Sequence, residues 1–378
     1  MSVTIAPERL LYNGSFIVNH VLEIENGIIT HVLPRDQRNK VDYTYNGLLI
    51  PGLIDTHIHG HYGVEVIDAS VEELVAMKEN LLKCGVTSFL PTLQTDEPER
   101  IITAIRNILE ARRHAGGANI IGIFLEGPFL SEKFKGAQDG RFLRLPAKEL
   151  LEKWQQAADG LIKKIAIAPE LAGAMELIKY AHEQGIVVAI GHSNASADIA
   201  EEAINHGASV AVHTFNAMRN LHHREPGILG ESLVNDKLYA ELICDGYHLN
   251  PKIVDLIIRA KGVGHTILIT DGTTASGLPD GDYTRSKLPI QVKGGAVRTM
   301  NGTLAGSSLT LLQAIRNIVR WEKVSLEEAI QMATLNPAKT LGLDTKIGSL
   351  IEGARADFVV LDDDFQILSR WVDGKESR

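Results

Sequence analysis

The sequence predicts a mixed α/β fold: a (β/α)8 TIM-type barrel carrying a small β-sandwich domain built from the two chain ends. Three observations predict it. Eight short apolar runs rich in Val and Ile recur along the chain, bounded by Gly, Pro or polar residues, as buried parallel strands should be. Longer amphipathic segments separate most of these runs. The two ends instead alternate apolar and polar residues over short stretches, with Asn26-Gly27 and Asp373-Gly374 as hairpin signals.

The apolar runs are 48–54, 86–90, 120–125, 165–168, 186–190, 208–212, 238–243 and 266–270. Helical patterns fall at 71–84, which stops at Gly85, and at 98–114, which opens on Pro98 and ends before Gly116-Gly117. Further helical patterns cover 147–158, 172–184, 196–206, 251–261 and 309–321. Strands alternating with helices in this way read as a barrel. The β-rich ends would pair with one another, because pairing covers the edges each leaves open. The expected division is residues 1–50 plus 343–378 for the small domain and 51–342 for the barrel.

The chain has 378 residues, with 38 basic and 47 acidic side chains and a net charge of −9. That balance argues against a nucleic-acid surface, which needs a basic face. It leaves room for one small basic pocket. Cys84 and Cys244 form no disulfide framework and are expected to be reduced, as in the cytoplasm. The N-terminus lacks a signal-peptide core, and no run of about 18 apolar residues suggests a membrane span.

Barrel enzymes place their chemistry at the C-terminal ends of the strands. The first run is followed by His57-Ile58-His59, whose alternate residues point the same way in extended chain. The third ends at Glu126, the fifth at His192, the sixth at His213 and the eighth at Asp271. A lone His after a strand is usually a hydrogen-bonded structural residue, but structural residues have no reason to gather at one end of five strands. His114, His182 and His206 fall near helix ends, where charge and capping account for them. Four imidazoles and two carboxylates suit one or two divalent ions, Zn, Fe or Mn. Such a site activates water and polarises a carbonyl, with Asp271 as general base and then acid, which suits hydrolysis of a small amide, imine or ester. No Gly-rich dinucleotide or phosphate loop points to an organic cofactor.

The set His57, His59, Glu126, His192, His213 and Asp271 resembles that of the amidohydrolase superfamily, as does the tail Gly348-Ser-Leu-Ile-Glu-Gly-Ala-Arg-Ala-Asp-Phe-Val-Val-Leu361. Within it the chain resembles the N-acetylglucosamine-6-phosphate deacetylase family. The segments that carry this are Pro51-Gly-Leu-Ile-Asp-Thr-His-Ile-His-Gly60, Leu125-Glu-Gly-Pro-Phe129, Ile190-Gly-His-Ser193, His213-Thr-Phe-Asn-Ala-Met218, Arg224-Glu-Pro-Gly227, Asp245-Gly-Tyr-His248, Thr270-Asp271 and Leu304-Ala-Gly-Ser307.

The resemblance implies that Glu126, His192 and His213 hold the metal common to the family. His57 and His59 then belong to a second site, and Asp271 is the proton shuttle. It further implies that Asn216 and Ala217 offer backbone N–H groups to a sugar phosphate, with Arg224 and His248 binding that phosphate. Arg224 is expected to reach across from the neighbouring subunit of a homodimer, while Leu304, Ala305 and Gly306 line the sugar pocket. Ala137 and Gln138 belong to a substrate-contacting loop where the family usually has His instead of Gln138. The implied substrate is N-acetylglucosamine-6-phosphate. The segment Leu221-His-His-Arg-Glu-Pro226 also resembles relatives acting on N-acetylgalactosamine-6-phosphate, and both epimers stay open. Other amidohydrolases use a carboxylated lysine at the end of strand four, and this strand ends Ala166-Ile-Ala-Pro-Glu170 without one. A non-catalytic scaffold is the remaining alternative. Such relatives lose ligands, and all six stand here.

Overall fold

A computed structural model describes residues 2–38, 40–286 and 288–377. Parallel strands Leu53–Ile58, Val86–Gln94, Ile123–Glu126, Ile162–Ile167, Val187–Ile190, Ala208–Ala211, Tyr239–Ile243 and Thr266–Ile269 follow one another around a barrel. The eighth returns to the first through the parallel bridge between Ile58 and Gly272. The apolar runs after the first overlap these strands, although Ile120 of the third lies in a separate short strand, Asn119–Ile120.

The first run divides. Its early part lies in Tyr43–Pro51, a strand of the terminal sheet, and the barrel strand begins only at Leu53. Leu49 faces the core of the terminal domain, whereas Leu48, Ile50 and Leu53 pack into the barrel core. A strand sandwiched between two apolar cores has no polar face, so periodicity cannot show where one element hands over to the next. The hand-over is Gly52. A Cβ there would lie 2.1 Å from Thr87 Oγ1 and 2.3 Å from Thr87 Cγ2.

Both chain ends enter one eight-stranded sheet. Tyr43–Pro51 pairs in parallel with Ser2–Tyr12 and antiparallel with Phe358–Leu361. The expected hairpins form: Asn26 and Gly27 have φ of 51° and 84°, and Asp373 and Gly374 have 50° and 70°, the left-handed pairs that tight two-residue turns need. The two turns abut, since a Cβ on Gly374 would sit 2.6 Å from Gly27 Cα. Ile5, Leu22, Leu49, Phe358 and Trp371 fill the core between them.

The helices follow the predicted patterns to within about two residues at each end. Ser70 and Glu73 form a capping box at the start of Val71–Lys83, and Pro98 opens Pro98–Arg113. Helices Gly227–Val234, Leu326–Ala333 and Leu335–Thr340 are additional. Gly227–Val234 is mostly buried, so it carries no amphipathic stripe to read. A three-stranded antiparallel sheet, Gly281–Arg285, Leu288–Lys293 and Ala296–Thr299, also lies beyond the eighth strand, with its own core of Ala275, Ile290, Val292, Val297 and Ala305.

Because Thr87 closes on Gly52, Gly52→Ala is expected to lower stability by about 1–3 kcal/mol. Equilibrium unfolding of Gly52→Ala alone and with Thr87→Ala checks this. The double variant should recover part of the loss, and no loss in the single variant would contradict the contact.

Candidate metal centre

His57 and His59 alternate along the end of the first strand and both turn inward, with ring centroids 5.3 Å apart. Glu126 ends the third strand. His192, His213 and Asp271 follow the fifth, sixth and eighth strands by two residues. All six side chains are buried.

They fall into two groups. In one, Glu126 Oε1 lies 3.3 Å from His192 Nε2 and 3.0 Å from His213 Nε2, and those two nitrogens are 3.0 Å apart. In the other, Asp271 Oδ1 lies 3.6 Å from His57 Nε2 and 3.4 Å from His59 Nε2. Glu126 joins the groups, because its Oε1 is 3.2 Å from His57 Nε2 and its Oε2 is 3.0 Å from His59 Nε2. Each triad alone brings its ligand atoms within 4.8 Å of one another.

Three of these ligands hold left-handed backbone: His192 has φ 47°, His213 28° and Asp271 47°. In non-glycine residues that conformation costs of order 1–3 kcal/mol and gathers at functional sites. It swings each side chain off the strand line into the barrel mouth.

The residues fit a divalent cation. His57 Nε2 and both ring nitrogens of His59 are buried without a hydrogen bond, although carboxylate oxygens stand close by. Buried polar atoms without partners are rare unless something else satisfies them. His192 Nδ1 lies 2.8 Å from the Phe134 carbonyl, which accepts its proton and leaves Nε2 as a lone-pair donor facing Glu126 and His213. Burial disfavours a charged Glu126, yet the imidazoles of His57 and His59 outweigh it and hold this carboxyl well below the usual range.

Gln138 has both amide ends fixed. Its Nε2 donates to Glu126 Oε2 at 2.7 Å, and its Oε1 accepts from the Thr95 N–H at 2.8 Å. The metal-ligand groups open on a cavity of about 550 Å³, which Ala137, Gln138, Asn216, Ala217, His248, Leu304 and Gly306 line together with Glu126, His192, His213 and Asp271. His248 Nδ1 donates to Asp245 Oδ2 at 2.6 Å. Burial lowers the pKa of His248, but that bond and the Asp245 charge outweigh it, and the net shift is upward. Ala305 is fully buried under the cavity wall, packed in the core of the three-stranded sheet. Arg224 lies outside the cavity on an exposed turn, with its guanidinium 2.7 Å from His223 Nε2.

Sequence reasoning missed Arg285 and Arg298, which the three-stranded sheet brings to the cavity, and Lys133 from the loop after the third strand. It also missed Asp55, Lys164 and Glu241, which are buried beneath the metal ligands. Asp55 and Glu241 are lone charges inside apolar strands and Lys164 adjoins the exposed Lys163, so none of them gives a spacing pattern to recognise.

A barrel with this ligand set at its mouth defines a hydrolase of the amide-cleaving class. The model of the amidohydrolase family matches residues 48–378. An N-acetylglucosamine-6-phosphate deacetylase of Vibrio furnissii is 39% identical over 97% of this chain and 93% of its own length. An N-acetylgalactosamine-6-phosphate deacetylase of Escherichia coli O157:H7 is 36% identical over 99% of both. The crystal structure of N-acetylglucosamine-6-phosphate deacetylase from Pasteurella multocida superposes with a TM-score of 0.94 at 29% identity over 100% of both chains. A variant of the Mycobacterium smegmatis enzyme in complex with N-acetyl-D-glucosamine-6-phosphate does so with 0.93 at 31% identity over 99% of both. The chain belongs to the amidohydrolase family and, within it, to the N-acetylglucosamine-6-phosphate deacetylase family.

Because Glu126 reaches both groups, Glu126→Ala should lose every tightly held ion, whereas His59→Ala should lose only one. Metal content after gel filtration against a weak chelator reads this directly, and equal ion loss in the two variants would contradict the bridging position.

Proposed function

We propose that this chain hydrolyses the N-acetyl group of N-acetylglucosamine-6-phosphate, releasing glucosamine-6-phosphate and acetate. The observation that carries this reading is one cavity with a metal-ligand set at its floor and His248 and the Asn216–Ala217 turn on its wall. A divalent ion bound at the floor supplies Lewis acidity toward a water and toward the amide carbonyl oxygen. Glu126, His192 and His213 would hold the first ion, and His57, His59 and Asp271, with Glu126 between them, would hold a second.

Asp271 takes a proton from the attacking water as its oxygen bonds to the carbonyl carbon. It returns the proton to the nitrogen as the C–N bond breaks, so that a neutral amine leaves. Gln138 keeps Glu126 oriented through its amide N–H. The backbone N–H of Ala217 and the imidazolium of His248 would receive the 6-phosphate, for which charge-assisted donors are the strong partners, and the Asn216 N–H, which donates to the His213 carbonyl at 2.9 Å, would have to share its hydrogen to join them. Leu304 and Gly306 border the sugar. Arg224, exposed and outside its own cavity, would complete the phosphate site of a neighbouring subunit in a homodimer. The unpaired Cys84 and Cys244 support a reducing, cytoplasmic setting.

N-Acetylgalactosamine-6-phosphate is the other arm of the test, because the Escherichia coli relative with that name is nearly as similar. Release of free amine from both epimers, from their non-phosphorylated forms and from other N-acylated sugars ranks the substrates. Turnover only of a substrate lacking phosphate would overturn the proposal.

Asp271→Asn is expected to abolish turnover while the ion on Glu126, His192 and His213 is retained, and full activity would remove the assigned role. Arg224→Ala should raise KM about tenfold or more for the phosphorylated sugar only, since a charge-assisted hydrogen bond is worth about 1.5–3 kcal/mol. His248 also sets a pH limit. Its pKa lies above the ordinary value, so its cation persists past the pH at which a free imidazole loses its proton, about 6.5. Affinity for the phosphate dianion is then kept past that pH and falls as pH rises through the raised pKa. The upper limb of a KM–pH profile should flatten in His248→Gln; an unchanged limb would assign it to another group.

A further inference from the structure

The barrel interior beneath the ligands holds a charged pair that the proposed chemistry does not use. Lys164, from the fourth strand, and Glu241, from the seventh, are 2% and 0% exposed, and Lys164 Nζ donates to Glu241 Oε1. The fourth and seventh strands supply no metal ligand. Lys164 also lies over the Phe124 ring, 4.1 Å from its centroid, and 3.4 Å from the Thr56 carbonyl oxygen.

Burying an ion pair costs desolvation that an apolar pair of the same volume avoids, so stability alone does not account for it. What Glu241 touches does. Its Oε2 lies 3.4 Å from His57 Nδ1, and its Oε1 accepts from Thr56 Oγ1 at 3.3 Å. Glu241 thus meets the His57 ring at Nδ1, whereas Glu126 and Asp271 meet it at Nε2. An acceptor at Nδ1 fixes the tautomer that leaves the Nε2 lone pair free and strengthens it as a ligand. His192 obtains the same orientation from a neutral carbonyl, that of Phe134. Only His57, in the other ligand triad, takes it from a buried charge.

We propose that Glu241, held by Lys164, is a positioning residue for the second ion. It orients and strengthens His57 while leaving the ion on Glu126, His192 and His213 untouched. Retention of the second ion is therefore set from strands that do not touch it. This rests on the two-ion reading above.

The test compares the wild type with two double variants that remove both buried charges together: Lys164→Met with Glu241→Gln, which keeps an acceptor, and Lys164→Met with Glu241→Leu, which does not. Each protein is stripped with a chelator and titrated with Zn²⁺ alone, read by calorimetry and metal content. The expected result is two equivalents in the wild type. In the Leu variant the second ion should bind roughly 10- to 100-fold more weakly, the range seen when a ligand's outer hydrogen bond is lost, with the first unchanged. The Gln variant should fall between. Second-ion affinity equal to wild type in the Leu variant overturns this proposal alone. Loss of both ions together in either variant also overturns it, since the pair would then support the barrel rather than one ligand. A wild-type stoichiometry of one is read before any variant is compared; it removes the two-ion reading and this proposal with it.

Discussion

Three backbone hydrogen bonds join the last barrel strand to the first: Asp271 N–H to the His57 carbonyl at 2.9 Å, His59 N–H to the Gly272 carbonyl at 2.8 Å, and Gly60 N–H to the same carbonyl at 2.9 Å. Asp55 reinforces the seam by accepting from Thr270 Oγ1 at 2.6 Å and from the His57 N–H at 3.2 Å. Burial pushes the Asp55 carboxyl up to about 6, against the pull of the Thr270 hydroxyl. The seam therefore runs through the ligand residues themselves. His57, His59 and Asp271 cannot take their places unless the barrel closes, and closure brings them opposite Glu126. Every other feature of the site depends on this junction.

Assembly of the site works against stability at several points. Left-handed backbone at His192, His213 and Asp271 carries a conformational cost, and so does gathering buried carboxylates and imidazoles in one place. The offset comes from the extensive apolar core, in which the helices cover the strands from outside. An ion that binds the folded chain and not the unfolded one adds to that offset by mass action. Rigid strands thus hold the ligands, while much of the rest of the cavity wall is built from turns and the added three-stranded sheet.

The barrel was legible in the sequence because parallel strands buried on both faces read as continuous apolar runs, and because the ligands stand at the same end of each. The first run was blurred for the same reason: Leu48–Pro51 is apolar on both faces while belonging to another sheet. The three-stranded sheet at 281–299 was not visible because half of its residues face solvent and its core is five residues. Arg285 and Arg298 went unseen with it. Lys164 and Glu241 were hidden differently. Glu241 is a single charge within its strand and Lys164 stands beside the exposed Lys163, so neither makes a pattern, and their meeting across the barrel depends on the stagger of the strands, which spacing along one chain does not encode. Ala305 stood within a matching segment, yet its side chain turns into the small core while Leu304 and Gly306 border the cavity.

The terminal sheet also bears on how the chain is made. Strand Tyr43–Pro51 has one neighbour, Ser2–Tyr12, that leaves the ribosome before it, and another, Phe358–Leu361, that leaves long after it. At about 5–20 residues per second, the interval between them is on the order of tens of seconds. For that time Leu48-Leu49-Ile50 presents a bare apolar edge, the kind that pairs with foreign strands. Until Phe358–Leu361 emerges, the native strand that covers this edge is not yet made.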